Sequence, residues 1–364
     1  MVRQVPRGRC LLRGEHFGRV VLDRVQDIAL DDVDAAWPAL ADDERLLFLL
    51  GYEASLGGTA GDATLGPDSF VWRCRVVDLD LRSIPVPSAR LPSLSTTEQE
   101  HERHLERVRR CKEHLLDGVV YQANLAHRLR VAERSHEEGL AFFLGVSRPP
   151  VCAAFVDVDG FGSLVSLSPE RFLEADLRAH TASTFPIKGT LPIGEDPQRL
   201  TSSSKDQAEH VMIVDLLRND LGKVAVAGGV AVTSLMHLVT TSSVHHLEST
   251  ITAQLRDDVG IAALLAACAP GGSITGAPKS SAVEVIQALE AGPRGPYTGV
   301  LGLVDRHGQL RSSLLIRTWI RPDGATGSLH VGGGVVVDSD PESEWMETLH
   351  KARAFGPVSV QSRA

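Results

Sequence analysis

Residues 297–337 read YTGVLGLVDRHGQLRSSLLIRTWIRPDGATGSLHVGGGVVV. Three β-prone runs, 297–304, 311–320 and 328–337, are divided by the turn-forming DRHG and PDGATG stretches, and they read as adjacent strands of a hairpin or meander. No helix separates these strands, which argues against repeated β-α-β units. Further strand runs are expected near 119–129, 151–158, 163–168 and 171–175. Helices are expected over 205–220, after Pro278, and from Asp340-Pro341 onward. Strands in runs with a few helices between them favour an α+β sandwich over a doubly wound sheet.

The N-terminal part is less regular. A short apolar helix is expected at 44–50, then a GYEAS turn and a strand at 70–77. PVPSARLPSLS, residues 85–95, reads as a proline- and serine-rich linker. Thr96 or Thr97 is then a candidate N-cap for a charged helix over 98–117, closed by Gly118. The helix at 205 opens with Ser204 and Gln207 at capping-box spacing.

With 364 residues the chain can bury a sizeable core. A net charge of −9 argues against a nucleic-acid or anionic-membrane surface. The five cysteines form no CxxC or Cys/His pattern and read as reduced thiols of a cytoplasmic protein. No run of eighteen apolar residues suggests a membrane span.

Several polar residues stand where a chemical role competes with a structural one. Glu209 lies in KDQAEH, and Glu344, Glu347 and Lys351 share one helical face at i, i+3 and i+7. Acids in a first turn can simply complement the helix dipole. The preceding HVGGGVVVD, however, puts three glycines in a strand, each weakening it by about 1 kcal/mol unless something must approach its backbone. APGGSITGAPK resembles a phosphate loop in its glycine spacing, but Ala277 stands where the phosphate-binding lysine belongs. There remains a glycine-rich turn before a helix, where Thr275, free amides and Lys279 could receive an anion. Glu170, His246, Tyr297 and Arg317 lie in apolar settings. A guanidinium among Leu314, Leu315, Ile316 and Trp319 needs an anionic partner, either a structural one or a ligand. Lys188, in FPIKGTLP, lies beside a tight glycine turn and by itself reads as a solvated loop cation.

These segments in fixed order, GVVYQANL, SLSPERF, PIKGTLP, KDQAEHVMIVDLLRNDLG, VHHLESTITAQL, PGGSITGAPK, PYTGVLG, IRT and GGGVVVDSDPESEWMET, resemble the chorismate-utilising family. Within it they resemble the branch that uses ammonia to form 4-amino-4-deoxychorismate. The resemblance implies an α+β fold, one large domain of two stacked antiparallel β-sheets flanked by helices. Residues 1–95 would be a shortened N-terminal segment completing the sheet, and residues 96–364 the chorismate-binding catalytic region. It also implies Mg²⁺ held by Glu209 and Glu347 with Glu344 assisting. Thr275, Tyr297, Arg317, Lys351 and the backbone of Gly332, Gly333 and Gly334 would hold the substrate carboxylates. Glu170 would be the general acid, with His246 beside it.

Two positions separate activities in the family. At Gln122, the isochorismate and salicylate synthases resemble one another in a lysine that activates water, whereas the ammonia users carry glutamine. At Lys188, anthranilate synthases typically have alanine, and Asn124 points the same way as the lysine. The implied mechanism is a covalent Lys188 adduct displaced by ammonia, with ammonia delivered by a separate glutamine amidotransferase subunit in a heterodimer. Anthranilate synthase component I and a non-catalytic chorismate-binding subunit are the alternative readings.

Overall fold

The computed structural model describes residues 9–17, 20–28, 32–56, 69–77, 91–132, 136–202, 204–240 and 244–362. Its first strands are β1 (Arg9–Arg13), β2 (Val20–Ile28), β3 (Glu44–Leu50), β4 (Ser69–Val76), β5 (Ser93–Thr97) and β6 (Gln122–Ala132). Then come β7 (Cys152–Val158), β8 (Gly162–Ser168), β9 (Arg171–Asp176), β10 (Thr181–Thr184), β11 (Ile187–Pro192), β12 (Ala225–Thr240) and β13 (Val244–Leu255). The last are β14 (Gly276–Ala277), β15 (Val300–Asp305), β16 (Gln309–Leu314), β17 (Thr318–Pro322), β18 (Gly327–Val335) and β19 (Val358–Gln361). The helices are α1 (Val33–Ala36), α2 (Glu98–Leu116), α3 (His136–Gly145), α4 (Gln198–Ser202), α5 (Ser204–Gly222), α6 (Ile261–Cys268), α7 (Lys279–Leu289) and α8 (Pro341–Ala352).

Backbone pairing forms one continuous ladder. It runs from β12 through β13, β10, β9, β16, β15, β3 and β4 to β2, then through β1, β7, β8, β17, β18 and β6 to β5 and β19. All described pairings are antiparallel except β19 with β5, which is parallel. The ladder doubles back on itself. Leu47, Leu49 and Leu301 of one arm pack in the same core as Val156, Leu164 and Ile320 of the other. The two stacked layers are therefore arms of one folded sheet, and β1 to β4 join them rather than trimming an edge. Helices cover the outside: α5 and α6 place Ile213, Leu217, Leu264 and Leu265 on one arm, and α2 and α7 place Val108, Cys111, Val285 and Ile286 on the other.

The cap readings hold. Thr97 accepts a hydrogen bond from the Glu100 amide at 3.1 Å, α2 ends before Gly118 at φ +71°, and Asp340 caps α8 ahead of Pro341. At α5, Gln207 Nε2 donates to Thr201 O at 2.5 Å, and the Ser204 side chain of the expected capping box lies outside the described residues. So does 85–90 of the expected linker, and its end, Ser93–Thr97, is strand β5.

Two further expectations change. Glu44–Leu50 is β3, not a helix; it pairs on both edges, with β4 and β15, and is buried on both faces, so its apolar run carries no period to distinguish the two. The run 311–320 is two strands. β16 pairs with β15 and β9 in one arm, and β17 pairs with β18 and β8 in the other. Between them the chain crosses from arm to arm, with Arg317 at φ +47°. Among the described residues no helix is long and apolar enough to cross a membrane.

Candidate active site

On β6 successive side chains alternate sides. Ala123 and Leu125 join the core under α2 and α7, which leaves Gln122 and Asn124 on the opposite face. There Gln122 Oε1 accepts from Lys188 Nζ at 3.4 Å, and Glu209 Oε2 on α5 lies 3.2 Å from the same nitrogen. Lys188 reaches this position through a break in register: the β11–β13 pairing shifts between Lys188 and Thr190, with Gly189 at φ +70°. A bulge with a left-handed glycine re-aims the neighbouring side chain, which is why KG is paired in PIKGT. Gln122 Nε2 and Asn124 Oδ1 are buried and have no hydrogen-bond partner among the described residues. Other buried side-chain atoms lack partners too, but this pair shares the β6 face that meets Lys188, so it suits a ligand.

Glu170 follows β8 and is 8% exposed. Burial raises its carboxyl to about 7, while the Ser273 hydroxyl, donating to Oε1 at 2.6 Å, and the charges of Lys188, Arg317 and Lys351 pull the other way. A carboxylic acid near 7 holds a proton to give at neutral pH. Arg317 sits at the crossover between the two arms. Burial lowers its pKa, opposed by the charge of Glu170, and no described carboxylate is in ion-pair contact with it. An anionic ligand would complete it. His246, on β13, is buried; burial lowers its pKa and keeps the ring neutral, with Glu248 opposing.

The glycines of β18 form a cradle. A Cβ at Gly332 would lie 2.6 Å from Leu125 O and 2.9 Å from the Tyr297 hydroxyl, and one at Gly334 would lie 2.7 Å from Gln122 Nε2. Over Gly333 the carboxylates of α8 converge: Glu344 Oε2 and Glu347 Oε1 would be 3.1 and 3.7 Å from its Cβ. Lys351 Nζ bonds Glu347 Oε1 at 2.7 Å and Gly332 O at 2.8 Å. Ser339 Oγ donates to Glu344 Oε1 at 2.6 Å. Tyr297 is buried and stacks on His330, centroids 5.3 Å apart. The Thr275 hydroxyl donates to Gly271 O at 2.9 Å, closing its own loop. Carboxylate oxygens beside space that only a glycine leaves suit a hard divalent cation such as Mg²⁺. Among the described residues, no three His, Cys, Asp or Glu side chains are gathered closely enough to form a metal cluster unaided.

Comparison with known proteins decides the family. The model of the chorismate binding enzyme family matches residues 74–357. The chain belongs to the chorismate-binding enzymes. Over 258 residues it is 43% identical to aminodeoxychorismate synthase component 1 of Escherichia coli, covering 69% of this chain and 56% of that one. Over 282 residues it is 40% identical to an anthranilate synthase component 1 of Haloarcula marismortui, covering 74% and 57%. The chain thus spans little more than half the length of these curated relatives. The solved anthranilate synthase component I of Streptococcus pneumoniae shares the fold: TM-score 0.76 over 98% of this chain and 93% of that one, at 22% identity.

In this chorismate-binding fold, Lys188, Glu209 and Gln122 touch directly. Lys188, Arg317 and Lys351 each act electrostatically on Glu170, and Glu344, Glu347 and Lys351 face the glycine cradle. Lys279 is placed elsewhere: half-buried, it forms an ion pair with the buried Asp220 and donates to Cys268 O at 2.9 Å, so it does not serve an anion at the glycine turn. Two residues of the site escaped the sequence reading. Ser273 lies inside the quoted PGGSITG, yet only its approach to Glu170 reveals its use. Arg294, in GPRGPY, binds the backbone at Asn124 and Ile274.

Proposed function

We propose that this chain converts chorismate and ammonia to 4-amino-4-deoxychorismate. The observation that carries the reading is Lys188 Nζ held between Gln122 Oε1 and Glu209 Oε2, inside the layers and within electrostatic reach of a protonatable Glu170. A lysine placed only for solubility would point outward.

In this reading Arg317 and Lys351 bind the substrate carboxylates, and Tyr297 and the Gly332–Gly334 backbone shape the space around them. Lys188 Nζ, shedding a proton to solvent, bonds ring carbon 2; both conjugated ring double bonds shift by one position, and the carbon 4 hydroxyl leaves as water with the proton of Glu170. Ammonia then bonds carbon 4, both double bonds return, and Lys188 departs from carbon 2 as the amine with the proton that ammonia gives up. His246, on the strand that pairs with that of Lys188, would assist Glu170 as a neutral imidazole. Glu209, Glu344 and Glu347 would hold Mg²⁺, which when bound fixes a substrate carboxylate and stabilises charge on the ring.

Ammonia needs a supplier. Glutamine hydrolysis by a cysteine requires an accessible, low-pKa thiol. All five cysteines here are buried, and burial pushes Cys74, Cys111 and Cys268 up to about 12 and raises Cys10 and Cys152 as well. A separate glutamine amidotransferase subunit fits this, in a cytoplasmic heterodimer for 4-aminobenzoate formation. The second reading is anthranilate synthesis, favoured by relatives of that name at 40% identity.

One incubation separates the two. Chorismate, Mg²⁺ and ammonium with the protein should yield 4-amino-4-deoxychorismate, identified by mass spectrometry; fluorescent anthranilate would replace this conclusion with the second reading. Without ammonia, intact mass should detect an adduct on the native protein that is absent from Lys188→Ala. An adduct persisting in that variant would remove Lys188 from its role.

A further inference from the structure

Arg294 lies between α7 and β15 and is 2% exposed. A guanidinium has five N–H donors, and each here has an acceptor. Nε donates to Glu290 Oε2 at 2.8 Å, and Nη2 donates to Glu290 Oε1 and to Asn124 O, both at 2.6 Å. Nη1 donates to Thr298 Oγ1 at 3.2 Å and to Ile274 O at 3.3 Å. The Tyr52 ring covers one face, 4.6 Å from Cζ. Three of these acceptors mark the substrate-binding segments: Asn124 itself, Ile274 just before Thr275, and Thr298 just after Tyr297.

β6 shows what the arginine replaces. One edge pairs with β18 along its length. The other pairs with β14 at Gln122 and Ala123, and with β5 only from Arg130 onward. In the gap, Asn124 O accepts from Arg294, and the Ala126 amide donates to Glu290 Oε1 at 2.8 Å. Two side chains do the work of a missing strand. Thr298 is also held at φ +60°, a conformation that non-glycine residues keep only when their surroundings impose it.

We infer that Arg294, braced by Glu290, is a positioning residue that sets the spacing among Asn124, Thr275 and Tyr297 and thereby the affinity for chorismate. The inference rests on reading the site as the chorismate pocket but not on which product is made. It predicts a binding defect, because the three segments hold substrate rather than react with it.

The test compares Arg294→Lys, Glu290→Gln and Leu289→Ala with the unaltered protein. Lysine keeps the charge but offers three donors without the fork. Leu289→Ala removes a buried side chain of the neighbouring core, so it lowers stability without touching these bonds. Chorismate Kd is measured by calorimetry with Mg²⁺ and without ammonia, kcat and KM with ammonium, and folding by circular dichroism and urea titration. Arg294→Lys should raise Kd and KM by about 10- to 100-fold with a much smaller change in kcat. Glu290→Gln should fall in between, and Leu289→Ala should lower the urea midpoint while keeping Kd. Wild-type Kd in both Arg294→Lys and Glu290→Gln overturns the inference, as does a rise in Leu289→Ala equal to theirs. Anthranilate from the unaltered protein would overturn the amination reading and leave this comparison standing; absence of chorismate binding by the unaltered protein would overturn both.

Discussion

Ser273→Ala removes the 2.6 Å hydrogen bond to Glu170 Oε1 and nothing else that Glu170 touches. That bond favours the carboxylate, against the burial that raises the carboxyl from an ordinary 4.5 to about 7. A hydrogen bond to a charged acceptor contributes about 1.5–3 kcal/mol, and one pKa unit corresponds to about 1.4 kcal/mol. Without it the carboxyl should rise by about 1–2 units, to roughly 8–9. A general acid works while protonated, so kcat should be level below the pKa and fall tenfold per pH unit above it. The basic limb should therefore move from near 7 to roughly 8–9 in the variant. The assay is kcat across pH 5.5–9.5, at saturating chorismate and a constant concentration of NH₃. Glu170→Gln should show no such limb. Stability changes in the same sense. Glu170 has a folded pKa above its unfolded one, so its contribution is complete below about 4.5 and is lost as pH rises through about 7, by about 3 kcal/mol. The fall in urea midpoint between pH 5 and pH 9 should be larger in Ser273→Ala. A folded variant whose limb stays in place, or moves to lower pH, would refute Glu170 as the acid.

Three other perturbations test separate parts of the structure. Gly302→Ala would set a Cβ 2.0 Å from Phe48 Cζ, on the facing strand and fully buried, so unfolding in urea should show a loss of about 1–3 kcal/mol from overpacking. Asp220→Ala strands the half-buried Lys279 ammonium and should cost about 2–4 kcal/mol in the same titration, more than Asp220→Asn. Gly333→Ala brings a methyl to 3.1 Å from Glu344 Oε2; the Mg²⁺ concentration for half-maximal activity should rise roughly tenfold while the circular dichroism spectrum is unchanged.

What could be read from the chain was local. Thr97, Gly118, Asp340 and Pro341 mark helix ends because capping is settled by a few neighbouring residues. The i, i+3, i+7 spacing puts Glu344, Glu347 and Lys351 on one face of α8, and the three glycines of β18 announce a close approach. The ordered motifs identify the family. Other features depend on partners distant in sequence. Glu44–Leu50 looks helical until strands on both edges claim it. The 311–320 run looks continuous until its two halves pair in opposite arms, which is what carries Arg317 into the site. Ser273 meets Glu170 across 103 residues, and Lys188 meets Gln122 across 66. The sequence alone therefore determines the kinds of chemistry and the local elements, since period, caps and turns act over short spans. Only the tertiary structure decides which acid is shielded from water, which cation has no ion-pair contact among the described residues and which arginine braces the pocket, because burial and pairing arise where the two arms of the sheet close on each other.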